Sequence, residues 1–432
     1  MQDLIQMLKI KSITLNNSAQ LSLLFDSTTT LPCLYPMLYI NSSLKFKSES
    51  TQQAYLQGIK QWYEFWQEKH NQSFCKYFRE HKSNPNLMIK EIDSFILYWE
   101  NMRVVDQKLI RLGSNPSINY NTLAHRLRAI LSYLNYLLDS FSQVHGKSIS
   151  PEIARYKSTL SQKSDIVKNL SSNHHKAHKN GTNFKSLTEE MKDALYSIIS
   201  PKAPETLFKS EDAQLRNFLI VHLLLNYGLR TGELLLLTLN SIKTDLKTHN
   251  TYLLITDTQD RTDTRISKPQ IKNAQSVRTI LLEKRDAQFI SMYINNIRSR
   301  DSKSHMLFLS LQAPYAPLSK SGLKKLISTI NMNMKSNYPQ FFDKNYVDSI
   351  DKVSAHILRH TWAYMMLKHS YQSYLSSYNK AQAMENAIES LRKMAGWSLN
   401  STMPYLYASR FISENANLSN IHRITKVGAH YD

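Results

Sequence analysis

Residues 356–370 read HILRHTWAYMMLKHS, and this stretch decides how the C-terminal half of the chain is interpreted. Its first five residues hold two histidines and an arginine, and an apolar run follows them. On a helix, Arg359 and His360 both lie about one turn after His356, so the three side chains can share a face. Arginine offers a planar fork to phosphate oxygens, and histidine can donate a hydrogen bond or carry a proton near neutral pH. The stretch predicts an anion-binding helix, although a surface helix carries the same pattern by chance in some proteins.

A second stretch, GLRTGELL over residues 228–235, predicts a charged side chain held against apolar surroundings. An apolar helix ends before it, and another apolar run begins at Glu233. Gly228 and Gly232 permit tight backbone turns on either side of Arg230. Because arginine keeps its proton there, it requires an anion. That anion is either a ligand or a local acid such as Glu233, and this stretch alone does not separate the two.

A third stretch, RKMAGWSLNSTMPYLYASRF, covers residues 392–411. Trp397 follows Gly396 in a predicted turn, and Tyr405 and Tyr407 come after a polar loop. A phenol becomes a nucleophile only where neighbouring cations favour its phenolate form. Since the chain contains 24 tyrosines, most of them must be packing residues, and no single tyrosine here indicates catalysis by itself.

The composition indicates a polyanionic partner. The chain has 432 residues, 42% of them hydrophobic, and a formal net charge of +20. This length suggests two or three domains with a real core, and the charge favours nucleic acid over a membrane surface. We find neither an apolar run of the roughly 18 residues that a spanning helix needs nor the features of a signal peptide. Cys33 and Cys75 make neither a disulfide framework nor a zinc site, which fits a reducing compartment.

Helical patterns and a polar interval divide the chain into four predicted segments. The predicted fold class is mainly α with a small antiparallel β-sheet, an α+β fold, because short β-like runs occur between residues 251 and 282. The segments are an N-terminal extension over 1–45, a helical domain over 46–145, a basic linker over 146–186 and a larger domain over 187–432.

Within the first three segments, the sequence makes more specific predictions. The extension is expected to hold a short helix over residues 2–10, and the first long helix is expected to be capped by Ser50 or Thr51. The aromatic residues of that helix are interpreted as packing rather than base stacking. They are Trp62, Tyr63, Phe65 and Trp66. The linker histidines are interpreted as solvated rather than metal-binding, because no cysteine or carboxylate lies beside them. They are His174, His175 and His178.

Taken together, the three stretches resemble the tyrosine recombinase (phage integrase) family in order and in wording. GLRTGELL is similar to that family's first-arginine motif, HILRHTWA to its His-x-x-Arg-His motif, and GWSLNSTMPY to the segment that ends at the nucleophile. The resemblance covers the catalytic half and extends weakly to the helical domain, whose STQQAY start is similar to the family's core-binding domain. It implies a helical core-binding, DNA-binding domain followed by a tyrosine recombinase catalytic domain.

The resemblance also implies roles for matching residues. Arg230 and Arg359 would bind the non-bridging oxygens of the scissile phosphate. His356 would assist proton handling and phosphate binding, and Glu233 and His360 would support the site. The position of Trp397 holds histidine in many members and tryptophan in some. Because an indole N–H can only donate a hydrogen bond, tryptophan at this position implies that Trp397 binds a phosphate oxygen rather than acts as an acid or base.

The family further uses a lysine of a β-hairpin as general acid toward the leaving 5′ oxygen. The run from Lys272 to Ile280 is similar to the family's Lys-Thr-x-x-Ser-x-Arg-Thr-Ile form, which aligns Lys272 with that lysine. Lys268 is the second candidate because this hairpin is longer than usual, and it is otherwise a candidate DNA contact.

The nucleophile has two candidates. In most members the tyrosine lies nine residues after the histidine or tryptophan, but that position is Leu406 here. Tyr405 falls one residue short and Tyr407 one residue beyond. The similarity of STMPY to the family's Ser-Thr-Thr-Met-x-Tyr favours Tyr405, with Tyr407 as the second candidate.

The implied function is cutting and rejoining of duplex DNA through a 3′-phosphotyrosine, in integration or excision of a mobile element or in resolution. No metal or other cofactor is expected, because the tyrosine ester conserves the energy of the broken bond. The alternatives are a catalytically inactive DNA-binding accessory protein and a DNA-relaxing enzyme of the type IB topoisomerase kind.

The implied partners are duplex DNA with inverted-repeat core sites, further copies of the chain, and accessory DNA-bending proteins. We expect a dimer on one site, a tetramer in the synapse, no membrane association, and a cytoplasmic, nucleoid-associated location. Basic residues of the helical domain are the candidate contacts to the DNA backbone. They are Lys45, Lys47, Lys60, Arg126 and Arg128.

Overall fold

The chain divides into two compact units, Met1–Gly181 and Thr182–Asp432. In the described ranges both units are mainly helical and contain small antiparallel sheets, which confirms the predicted fold class. None of the helices in these ranges is long and apolar enough to cross a membrane. The computed structural model describes residues 7–14, 20–81, 86–99, 102–105, 108–111, 120–141, 151–177, 186–257, 263–265, 268–271, 274–299, 301–346, 348–407 and 409–428.

The N-terminal unit combines two β-hairpins with helices. Its strands are β1 (Leu8–Thr14), β2 (Gln20–Asp26), β3 (Met102–Val105) and β4 (Lys108–Arg111), and β1 pairs with β2 and β3 with β4. Its helices are α1 (Leu34–Tyr39), α2 (Glu49–His70), α3 (Phe74–His81), α4 (Asn86–Trp99), α5 (Tyr120–Phe141) and α6 (Pro151–Ala177), with a π-helical turn, Ile40–Leu44, after α1.

The aromatic residues of α2 form the centre of the N-terminal core. Trp62, Phe65 and Trp66 have no exposed side-chain surface, and the ring centroids of Trp62 and Phe65 lie 5.7 Å apart. Tyr63 is buried as well, and its hydroxyl lies 2.7 Å from the hydroxyl of Tyr133 on α5. The interpretation of this group as packing residues is confirmed.

The first 45 residues differ from the prediction. The helix expected over residues 2–10 is wrong where the structure describes it, because β1 is a strand in which exposed and covered side chains alternate. The β1–β2 hairpin packs on α2, and the backbone N–H of Ser22 donates to the side chain of Gln52 at 2.8 Å. Ser48, rather than Ser50 or Thr51, caps α2. The described part of this segment therefore belongs to the N-terminal unit.

The linker predicted over residues 146–186 is wrong for 151–177, which form the 27-residue helix α6. Ile153, Leu160 and Val167 are buried, and their spacing of seven residues places them on one face of this helix. Leu160 and Val167 join the core of the unit. A helix whose composition is otherwise that of a linker therefore docks along an apolar face. Outside the described side chains lie His174, His175 and His178.

The C-terminal unit is a helical domain with one three-stranded sheet in its described part. Its strands are β5 (Ile242–Thr244), β6 (Thr251–Ile255) and β7 (Arg278–Leu281), with β6 in the middle. Its helices are α7 (Glu189–Ile199), α8 (Glu211–Asn226), α9 (Thr231–Leu236), α10 (Lys284–Met292), α11 (Lys320–Asn337), α12 (Ala355–Leu375), α13 (Lys380–Met394), α14 (Met403–Tyr407) and α15 (Ser409–Gly428).

The core of this unit brings the three quoted stretches together. Helix α8 is buried on most sides, and α12 packs against both α8 and α13. In the antiparallel sheet, Leu253 of β6 lies opposite Ile242 on one side and Ile280 on the other, and both Leu253 and Ile280 are buried. The end of α8, the start of α12 and the end of α13 are therefore held as neighbours by apolar packing.

Candidate active site

Arg230 follows a sharp turn between α8 and α9. Tyr227 ends α8, and Gly228 has a φ of 61°, in the left-handed region that favours glycine. A Cβ at Gly228 would lie 2.2 Å from the ring of Trp362, so a side chain has no room there. Arg230 is then the N-cap residue of α9, which directs its backbone N–H and its guanidinium toward the first turn of that helix.

The guanidinium of Arg230 lies in a network with the buried acid Glu233. Its Nη1 donates to Glu233 Oε1 at 2.5 Å and to Ser276 Oγ at 3.1 Å, and its Nη2 to the carbonyl of Gly396 at 3.4 Å. Arg278 pairs with the same carboxylate at 3.0 Å. Burial alone would raise the pKa of Glu233, but the hydrogen bond and charge of Arg278, together with Arg230, hold it below its usual value. Two guanidinium groups thus face one carboxylate, and the cluster stays positive.

Arg359 is buried between two turns of the unit, with 2% of its surface exposed. Its Nη1 donates to the carbonyl of Gly228, and its Nη2 donates to the carbonyl of Ala395 at 2.9 Å. The guanidinium carbon lies 5.4 Å from the ring centroid of Trp397 and 5.6 Å from that of Trp362. This arginine therefore ties the turn after α8 to the end of α13, and its loss would leave two carbonyl groups without this donor.

His356 and His360 lie one turn apart at the start of α12. Their Nε2 atoms are 3.0 Å apart, and the rings meet edge to face. One of these two nitrogens must carry the hydrogen and the other must accept it. His360 is buried, whereas His356 is exposed to solvent. The geometry suits a solvent-facing imidazole that is held in place by a buried one.

Arg230, His356 and Arg359 line one pocket of about 330 Å³. The first turn of α9, the start of α12 and a backbone segment at Gln270 enclose it. A Cβ at Gly232 would lie 2.6 Å from the carbonyl oxygen of Gln270, so glycine is what lets this segment approach α9. Two guanidinium groups and an imidazole around one concave site can bind a tetrahedral oxyanion such as a phosphate diester.

Of the remaining predicted catalytic residues, those that the structure describes do not line this pocket. Tyr405 lies on α14 with 53% of its surface exposed, and it does not line the pocket. Trp397 does not line the pocket either. Its ring packs on the guanidinium of Arg359. Lys268 is exposed, two residues before the pocket-lining Gln270. Outside the described part of the chain lie Lys272 and the side chain of Tyr407.

Arg278 and Ser276 complete the cluster around Arg230, and no role for them was predicted from the sequence. Both belong to the run SVRTI, which matches the Ser-x-Arg-Thr-Ile part of the family form. The sequence therefore contained a signal for Arg278. An arginine in a strand that is otherwise rich in apolar residues requires an acid if it is buried. The acid is Glu233, which lies 45 residues earlier in the chain.

A second network holds the residue that precedes Gly228. The hydroxyl of Tyr227 donates to Asp286 Oδ2 at 2.5 Å, and His222 Nε2 lies 3.0 Å from Asp286 Oδ1. Burial and the bond to Asp286 raise the pKa of Tyr227. Asp286 is in the first turn of α10, so this network fixes the turn before Arg230 against two helices. Tyr227 and Asp286 are 59 positions apart in the sequence, so no local pattern predicts their contact.

The predicted DNA-contact residues of the N-terminal unit are all at or near its surface. Lys45, Lys47 and Arg128 are exposed. Lys60 pairs with an acid one turn further along α2, at 3.2 Å, and Arg126 donates to a backbone carbonyl of α2 at 3.1 Å. Lys60 and Arg126 are therefore engaged within their own unit.

Comparison with known sequences identifies the domain that carries the pocket. The sequence profile of the phage integrase family matches residues 185–374, a range that includes Arg230, Glu233, His356 and Arg359. A search of curated protein sequences found no match.

Several solved recombinase structures are similar to the chain. XerH site-specific recombinase bound to difH substrate, in a pre-cleavage complex, is 16% identical over 90% of this chain and 85% of that chain, with a TM-score of 0.50. The Tn1549 transposon integrase in complex with circular intermediate DNA is 17% identical over 79% and 97%, with a TM-score of 0.38. XerA recombinase is 14% identical over 87% and 91%, with a TM-score of 0.32. The XerH match indicates a shared fold.

The order of the motifs, the pocket that they enclose and the family match agree with one another. Arg230 and Arg359 come from stretches more than 100 residues apart, and they line one pocket within the matched range. The C-terminal unit of this chain therefore carries a domain of the phage integrase family over residues 185–374.

Proposed function

We propose that this protein is a site-specific recombinase that cuts and rejoins duplex DNA through a covalent 3′-phosphotyrosine intermediate. The convergence of Arg230, His356 and Arg359 on one pocket of the family-matched domain carries the proposal. The structural relative XerH, whose fold the chain shares, is a site-specific recombinase bound to its difH substrate.

In the proposed reaction, Arg230 and Arg359 bind the non-bridging oxygens of the scissile phosphate. The phenol oxygen of Tyr405 attacks phosphorus as the bond to the 5′ oxygen breaks, and His356 takes the phenolic proton. Lys272, or Lys268 in its place, gives a proton to the leaving 5′ oxygen. Negative charge grows on the phosphate during attack, and fixed donors aimed at that charge supply the largest stabilising contribution.

Tyr405 must approach the pocket for this reaction. It lies on the five-residue helix α14, which follows the turn at Gly396 and Trp397. Catalytic contacts in enzymes without substrate are often long and tighten only in the complex. We therefore assign the final placement of Tyr405 to the DNA complex, in which the phosphate bound by both arginines supplies its target.

A two-stage experiment tests the proposed function. Duplexes selected from a randomised library for tight binding should share an imperfect inverted repeat. A nicked suicide duplex with that repeat should then give a protein–DNA adduct that survives denaturation, and two intact duplexes should exchange strands. Adduct formation with plasmid relaxation and no exchange would indicate a topoisomerase instead. Binding without any adduct would indicate an accessory protein.

We also propose that the C-terminal helix joins copies of the chain on DNA, as a dimer on one site and a tetramer in the synapse. Its first turn is anchored in its own unit, where Arg410 and Phe411 are buried and Arg410 pairs with Asp348 at 3.2 Å. Further along the helix, three apolar side chains on one side are each more than half exposed. They are Leu418, Ile421 and Ile424.

Replacing Leu418, Ile421 and Ile424 together with serine should strongly reduce synapsis, the pairing of two DNA sites. Binding of one protomer to a half-site should be nearly unchanged. The reason is that the substitutions remove an apolar contact between copies without touching the anchor at Arg410. Native gels with half-site, full-site and paired-site duplexes measure each step. Asn417→Ser with Asn420→Ser is the matched control on the same helix. Equal assembly by all three proteins would contradict this role of the helix.

The biological setting follows from the proposed chemistry. Integration or excision of a mobile element, or resolution of joined DNA molecules, would use the same strand exchange. Such a substrate would place the protein in the cytoplasm on the nucleoid, with accessory DNA-bending proteins as further partners.

A further inference from the structure

The turn Lys45–Phe46–Lys47, just before α2, presents an aromatic ring to solvent. Phe46 is 95% exposed, more than any other large apolar side chain in the described ranges. Isolated apolar residues on a surface are common, so exposure alone does not indicate a function. What distinguishes Phe46 is the way in which its backbone is held and the charge on either side of it.

A buried amide holds this turn in place. Gln52 has no exposed surface, and its Nε2 lies 3.2 Å from the carbonyl of Leu44, 3.5 Å from that of Lys45 and 3.1 Å from that of Lys47. Its Oε1 accepts the backbone N–H of Ser22 on β2 at 2.8 Å. One side chain thus fastens the turn to both α2 and the hairpin. Because the backbone around Phe46 is already fixed, little backbone conformational entropy is lost when the ring binds a partner.

The surroundings of the ring are cationic. Lys45 and Lys47 are both exposed, and the Nζ of Lys45 lies 5.9 Å from the centroid of the Phe46 ring. The acid nearest in sequence, Glu49, is 8% exposed and accepts hydrogen bonds from two polar side chains of its own unit. The N-terminus of the 22-residue helix α2 adds a positive partial charge beside the turn.

We propose that Phe46 is an apolar DNA contact, which packs against base or sugar edges in a groove while Lys45 and Lys47 bind the flanking phosphates. This inference rests on the proposed function, because it requires DNA as the partner. Apolar wedges that enter a groove between base steps are an established way for proteins to contact DNA. A membrane surface fits less well, since stable membrane binding takes more apolar area than one ring provides.

The salt dependence of binding separates the ring from the lysines. On a duplex that carries the selected site, Phe46→Ala should weaken binding by about 10-fold or more at every salt concentration, with an unchanged slope of log K against log salt. Lys45→Ala with Lys47→Ala should instead lower that slope by about 2, because two phosphate contacts are lost. Phe46→Trp, which keeps an aromatic ring, should restore binding.

Leu31→Ala is the matched control, because Leu31 is an exposed apolar residue of the same unit, 64% exposed. A 2-aminopurine scan of the site should find one step whose fluorescence depends on Phe46. Equal affinities for Phe46→Ala and Leu31→Ala would overturn the inference while leaving the proposed function intact. Loss of binding to anionic vesicles, with DNA binding unchanged, would also overturn it in favour of a membrane. A wild-type protein that does not bind DNA would overturn both proposals.

Discussion

Arg230→Ala is expected to slow DNA cleavage by about 100- to 1,000-fold, because one fixed donor to the developing phosphate charge is lost. DNA affinity should stay within a few-fold of wild type, since this side chain lines a pocket for one phosphate rather than a long backbone contact. Single-turnover cleavage of a nicked suicide duplex measures the first quantity, and fluorescence anisotropy with the intact duplex measures the second.

Arg285→Ala is the matched control for this substitution. It removes the same charge from an exposed position on α10 in the same unit, and cleavage should remain near the wild-type rate. Equal losses of binding and cleavage in Arg230→Ala would contradict the role assigned to the arginine. Arg359→Ala is a less clean test, because its bonds to the carbonyls of Gly228 and Ala395 also hold the fold, and thermal unfolding must be measured alongside it.

Tyr405→Phe is expected to abolish covalent linkage to DNA while leaving DNA binding and stability unchanged. The substitution removes only the hydroxyl, which is the attacking group, and the ring is 53% exposed, so packing is hardly affected. Denaturing gels of the suicide-substrate reaction measure the adduct, and anisotropy measures binding of the same duplex.

Tyr407→Phe is the paired control, since it makes the same chemical change two residues away. It should retain adduct formation. A fully active Tyr405→Phe protein together with an inactive Tyr407→Phe protein would move the nucleophile to Tyr407. Loss of the adduct in both proteins, with normal folding, would indicate that the two hydroxyls act together in the reaction.

The parts of the structure that depend on local periodicity or on short motifs could be predicted from the sequence. The aromatic spacing of α2 gave a helix with a buried face, and Trp62 and Trp66 are buried there. The convergence of Arg230 with Arg359 also agrees with the resemblance, because each lies in a short motif that keeps its own turn or helix. Both signals lie within short stretches of the sequence.

Features that depend on distant partners could not be predicted in the same way. Helix α6 has the composition of a linker, and among its described side chains Ile153, Leu160 and Val167 mark the buried face. The two carbonyls that Arg359 reaches lie 131 and 36 residues away in the chain. Such pairings are set by the packing of α8, α12 and α13, which no local pattern specifies.

In the proposed reaction, two arginines and a tyrosine from distant stretches of the chain act on one phosphate of DNA. The most direct measurement is peptide mass mapping of the adduct trapped on a nicked suicide duplex. We expect one modified peptide that contains α14, with the nucleotide remnant on Tyr405, and no such peptide from Arg230→Ala within the same reaction time. A remnant on a tyrosine of the N-terminal unit, or an adduct formed equally fast without Arg230, would contradict the proposed reaction.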